Sequence, residues 1–292
     1  MKRNVSGSDA PLARSVDEAI STRNARPLWA WLTKHSNLPG PQPNAMIAQA
    51  FADTCSMHGA KVEKIVVEMA TLDADAAPGD TQLEFLPMCG VLAAGAIGAA
   101  HDRLRRDMLD VLHDRADDLR FRVRDAVVDA LAKIGAATED ALVLEVEPWM
   151  DGYFHAAAVL RALAKEAWLP HLHEVTPVVM RLDEAFDLAK NAPRAAARYP
   201  GRKALVEALS QSPAALANRF GVPIFDLLEK WTTTKDPELR AVIAQNLKSK
   251  ALSARYRPEV ERVERAVAAA TPAHRDPKGY TAPMRGRGRK RR

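Results

Sequence analysis

The last eight residues hold the densest chemistry in the sequence: Arg285, Arg287, Arg289, Lys290, Arg291 and Arg292, spaced by two glycines. Cations crowded in this way neutralise phosphates and release their counterions without needing a fixed geometry. Such an arm suits nucleic acid or another polyanion, and a merely solubilising tail is the plainer alternative. The arm also dominates the charge of the chain, whose formal net value is +5 with it and −1 without it. A second cationic run, Lys190, Arg194, Arg198 and Arg202, recurs every four residues, with Lys203 beside it and no acid between Asp187 and Glu207. On one continuous helix this spacing would line a single face and could follow a phosphate backbone. Pro193 and the Pro200-Gly201 pair should interrupt that helix, so an ordinary solvated face competes with the phosphate track.

Chemistry of other kinds is sparse. There is no phosphate-cradling glycine loop, nucleophile elbow, HExxH pair or CxxC motif. His171 and His173 stand two apart and would diverge on a helix, which disfavours a shared metal. His155, in YFHAAAVLRAL, reads as a packed residue, and His101 and His113 sit among balanced charges with no evident role. Cys55 and Cys89 have neither metal-ligand spacing nor a disulfide partner pattern, so reduced thiols of a cytoplasmic protein are expected. Residues 101–130 hold seven arginines against eight aspartates, which cancel, and Asp129 and Lys133 are placed for an i, i+4 pair. Acids then gather without cations between residues 134 and 160: Glu139, Asp140, Glu145, Glu147 and Asp151. The expectation is a protein without catalytic residues, bound metal or small-molecule cofactor.

The elements that position these groups are helical. The 292 residues are 47% hydrophobic but only 5% aromatic, a composition that suits a sizeable core of closely packed helices. No segment alternates with period two, so no sheet is expected. Asp236-Pro237 and Ser212-Pro213 read as N-caps followed by proline at the first helical position, and Thr138 reads as a cap before Glu139 and Asp140. The apolar stretch Phe85–Ala100 contains Pro87 and falls short of the roughly 20 residues of a bilayer span. It reads as a buried helix. The first residues lack the apolar segment of a signal peptide, so a soluble protein with no membrane partner is expected.

Two segments read alike. Residues 119–135 (LRFRVRDAVVDALAKIG) and 235–252 (KDPELRAVIAQNLKSKAL) superpose when shifted by 116 positions. Val123 then falls on Leu239, Arg124 on Arg240, Val127 on Ile243 and Leu131 on Leu247, giving one apolar ridge at i, i+4 and i+8 with an arginine beside its first member. Units that recur in this way cannot bury their apolar faces alone and stack on one another. The pattern resembles the HEAT-repeat family of armadillo-type solenoids, over residues 80–255 and more weakly over 15–75. Candidate second helices recur around Phe51, Ile97, Leu131, Leu163, Leu209 and Leu247. Pro87 and Pro177 fall where first helices of that family often carry a kinking proline.

The resemblance implies an all-α, right-handed α-solenoid of about five or six divergent helix pairs over residues 15–270, with a sub-boundary near 74–81. Residues 1–14 and 271–292 are expected to be disordered. It also implies a non-enzymatic scaffold for a protein or nucleic-acid partner. A second resemblance, in fold type only, is to the HEAT-like DNA alkylation-repair glycosylases, whose groove uses tryptophans, an aspartate and arginines. Trp149 with Asp151, Trp168, and Trp231 with Asp236 and Arg240 are the residues that could supply such parts. They are also readable as space-filling between helices.

Overall fold

The computed structural model describes residues 9–270. These form fifteen α-helices joined by short turns and 3-10 segments, with no strand among the described residues. The helices fall into two rows. One row contains α3 (Ala45–His58), α5 (Phe85–Ala100), α7 (Phe121–Thr138), α9 (Tyr153–Leu163), α11 (Pro200–Phe220) and α13 (Pro237–Leu247). Each packs on the next in that order, and the six residues from Phe51 to Leu247 expected on second helices all lie in this row. The other row contains α4 (Glu63–Ala70), α6 (Asp102–Arg115), α8 (Ala141–Glu145), α10 (Val175–Lys190), α12 (Val222–Thr232) and α15 (Arg257–Ala270), each packed on at least one helix of the first row, and the short α14 (Lys250–Arg255) packs on α11 and α15. At the N-terminal end α1 (Asp9–Thr22) and α2 (Arg26–Lys34) close on α3 and α5.

The ridge residues Val123, Val127, Leu131, Leu239, Ile243 and Leu247 are all buried. Their two segments also make the same local contacts. The side-chain oxygen of Asp118 accepts from the Arg120 amide, and that of Thr234 accepts from the Asp236 amide, 116 positions on. Arg124 then donates to the Asp118 carbonyl just as Arg240 donates to the Thr234 carbonyl. The repeat is therefore one of turn chemistry as well as of apolar spacing.

Helix α5, second in the first row, packs on α3, α4, α6 and α7. With its preceding turn, Gln82–Ala100 is long and apolar enough to cross a membrane, yet 78% of its most apolar stretch is buried within the fold. Gly95 explains how closely α7 approaches, because a Cβ there would lie 2.5 Å from the Cβ of Ala130. Burial pushes the thiols of Cys55 on α3 and Cys89 on α5 well above their ordinary range, with the Cys55 charge adding to the effect at Cys89, so both stay protonated.

Several expectations need correction. Helix α1 begins at Asp9, before the expected boundary at residue 15, and its face of Leu12, Val16 and Ala19 is buried. Thr138 ends α7 instead of capping the next helix, and Asp140 accepts from the amides of His173 and Glu174 ahead of α10. Pro87 lies in the first turn of α5, the helix that also carries Ile97, whereas Pro177 does lie in the first turn of a helix of the other row, α10. Ser212 and Pro213 are interior to α11. Proline at 213 has no N–H for the Leu209 carbonyl. Asn246 of α13 supplies the missing donor, its Nδ2 lying 2.8 Å from that oxygen, while its Oδ1 accepts from Ala214 N at 2.9 Å. Asp236-Pro237 does cap α13, with the carboxylate accepting from Glu238 N.

Candidate binding surface

The four-residue cation run does not form one face. Lys190 ends α10, with its ammonium 5.4 Å from the Trp231 ring centroid and 4.0 Å from Asp187. Arg194 and Arg198 lie on a separate 3-10 turn, exposed and without an ion pair among the described residues. Arg202, in the first turn of α11, is buried and held by Glu238 at 2.6 Å and Asp236 at 3.8 Å. Pro193 and Pro200 break the helix between these cations, as their fixed φ and missing N–H require. Arg285, Arg287, Arg289, Lys290, Arg291 and Arg292 lie outside the described residues.

The first row carries two grooves. A groove of about 570 Å³ runs over α5 between α3 and α7, lined by Ala48, Met88, Leu92, Ala126 and Ala130 among others. Its α5 residues are Met88 and Leu92, and the alanines that line it come mainly from α3 and α7. A second groove, of about 320 Å³, lies over α9 between α7 and α11 and is lined by Phe154, Ala157, Ala204 and Ala208. Phe121, 51% exposed, borders both.

The rims are charged but internally neutralised. Asp125 pairs with Arg161 at 2.9 Å and Asp129 with Lys165 at 2.7 Å. Lys133 reaches over α5 to Asp53 at 2.7 Å, so the expected Asp129–Lys133 pair within α7 is replaced by pairs between helices. Arg122 bridges Asp80 and Glu84. A phosphate backbone laid in the groove over α5 would meet cations already held by carboxylates.

The tryptophans fill space between helices. Trp168 is fully buried on Gly135 and donates to the Glu139 carbonyl at 3.0 Å. Trp231 stacks on Phe186 and donates to Asp183 at 2.7 Å. Asp236 and Arg240 are occupied by the cap and turn contacts already described. Of the parts that a base-excising groove would need, Trp168, Trp231, Asp236 and Arg240 are thus engaged within the fold, whereas Asp151 is exposed.

One cluster had no signal in the sequence. His113 at the end of α6, Asp151 in the 3-10 turn Glu147–Asp151 and His155 in the first turn of α9 each place one ligand-type atom within 4.8 Å of the others. The imidazoles stack with centroids 4.1 Å apart, and Trp149 meets His113 edge-on at 5.1 Å. His155 Nε2 lies 3.0 Å from the His113 carbonyl, which can only accept, so Nε2 carries the proton. Burial and then the neighbouring His113 hold the His155 imidazole below its ordinary range, outweighing the opposing pull of Asp117, the backbone bond and Asp151. No protein-family model, curated protein or solved structure matches this chain.

Proposed function

We propose that the chain is a right-handed HEAT-like α-solenoid of five or six divergent helix pairs, acting as a non-enzymatic cytoplasmic scaffold for a protein partner. The first row of helices, each packed on the next in chain order, supports the architecture. The observation that carries the function is the groove over α5, with its apolar floor and neutralised rim. A floor of alanine, methionine and leucine favours a segment that offers small apolar side chains. The paired rim charges favour a partner of balanced charge over a polyphosphate. Cations of residues 285–292 would add electrostatic attraction, and deleting them should flatten any salt dependence of binding. The glycosylase reading has no comparable observation in its favour.

The test is photo-cross-linking in the cell from Gln49 or Ala136, which line or adjoin the groove and are not fully buried. A protein adduct that survives nuclease and is lost in Leu92→Arg would support the reading. Adducts that disappear on nuclease treatment would replace it with nucleic-acid binding, and adducts indifferent to Leu92→Arg would remove the groove from consideration.

A further inference from the structure

We propose that His113, Asp151 and His155 form a binding site for a divalent first-row transition metal ion. Two imidazoles and a carboxylate are a donor set that suits zinc and its neighbours, and three protein ligands leave room for water at the remaining position. Metal–ligand bonds of about 2.0–2.2 Å put donor atoms roughly 3.4 Å apart in a tetrahedral site. The three ligand atoms, all within 4.8 Å of one another, therefore need to close by at most about 1.4 Å. Asp151 can supply much of that, being exposed and followed by Gly152.

The donors are also unspent. The ring nitrogens of His113 and the carboxylate of Asp151 make no hydrogen bond or ion pair among the described residues, so binding an ion breaks none. His155 is already oriented as metal-bound imidazoles commonly are, with one N–H on a backbone carbonyl and the other nitrogen left with its lone pair. Stacked at an interplanar angle of 29°, the two rings direct their lone pairs along nearly parallel planes. Convergence on one ion requires a ring to turn, and His113 is the ring that no hydrogen bond ties among the described residues. Approach is open, because His113 and Trp149 border a surface depression shared with Asp110 and Glu145, whose carboxylates favour a cation, and with Arg106. Helices α6 and α9 and the turn between them hold the ligands, away from the groove over α5, so the two proposals stand or fall separately.

The experiment is titration of the metal-free full chain with Zn²⁺ by calorimetry and with Co²⁺ by visible absorption. Wild type is compared with His113→Ala, Asp151→Asn and His155→Gln, with the double variant His171→Ala/His173→Ala as control. Asp151→Asn is exposed and conservative, so it tests the site without threatening the fold. The expected result is one equivalent bound in wild type and control, with affinity falling more than about tenfold in each cluster variant. Cobalt should show absorption from bound imidazole that Asp151→Asn alters. Affinity unchanged in Asp151→Asn and His113→Ala, binding lost only in the His171/His173 control, or no stoichiometric binding to wild type would each overturn the assignment.

Discussion

Removing the side chain of Asn246 should destabilise the protein chiefly because of a proline in another helix. Asn246 is 1% exposed and uses both amide hydrogens and its oxygen: Nδ2 donates to Leu209 O at 2.8 Å and Val242 O at 2.9 Å, and Oδ1 accepts from Ala214 N at 2.9 Å. The Leu209 carbonyl has no helical donor because position 213 is proline, so Asn246→Ala leaves it orphaned in the interior. A buried polar group left without a partner costs about 1–3 kcal/mol. With the Ala214 amide also affected and a small cavity created, the total should be about 3 kcal/mol. Pro213→Ala restores an N–H at the position that ordinarily serves Leu209. In that background Asn246→Ala should cost less, by a coupling of about 1–2 kcal/mol. Urea unfolding of the four proteins of this cycle, followed by far-UV circular dichroism, measures the coupling. Equal costs in the two backgrounds, within about 0.5 kcal/mol, would show that Asn246 does not act through the proline.

Arg120 is buried and uses its guanidinium donors on Asp118 and the carbonyls of Leu72, Asp73 and Ala77. Arg120→Lys should cost about 3–5 kcal/mol and open the loop around residues 72–77 to proteolysis, and cleavage at the wild-type rate would refute this. Burial raises the pKa of the Asp118 carboxyl, but hydrogen bonds and charge from Arg120, with charge from Arg115, outweigh it and leave the pKa below its ordinary value. Its stabilisation is therefore full above the unfolded carboxyl value, about 4, and disappears as pH falls through the lower folded value. The stability gap between wild type and Asp118→Asn, read from unfolding midpoints across pH, should narrow only in that acid range. A Cβ at Gly135 would lie 2.1 Å from Trp168 Cδ2, so Gly135→Ala should expel the indole, cost about 1–3 kcal/mol and red-shift tryptophan emission.

The stacked helices were legible because burial selects for spacing. Val123, Val127 and Leu131 repeat as Leu239, Ile243 and Leu247 since each set must face a neighbouring helix. Local turn chemistry at Asp236 was legible for the same reason, since the cap and its helix are adjacent in sequence. Ser212-Pro213 carried the same local signature and misled, because the donor that lets α11 continue through the proline stands 33 positions later, at Asn246. His113, Asp151 and His155 lie in three elements, and nothing in the spacing of 113 and 155 indicates that their rings stack.

Charge was legible as a sum but not as an arrangement. Residues 101–130 balance on counting, yet several partners lie elsewhere: Arg122 pairs with Asp80 and Glu84, Asp125 with Arg161 and Asp129 with Lys165. Side chains three or four apart on one helix are neighbours, but so are side chains on adjacent helices of a row, and the latter pairs tie helix to helix. The consequence reaches the groove. A cation committed to a carboxylate on the next helix must be released before it can hold a phosphate, and that exchange offsets much of the attraction gained. What the α5 groove offers without such a cost is its apolar floor, so under the proposed scaffold role discrimination among partners would rest on shape and on the size of apolar side chains.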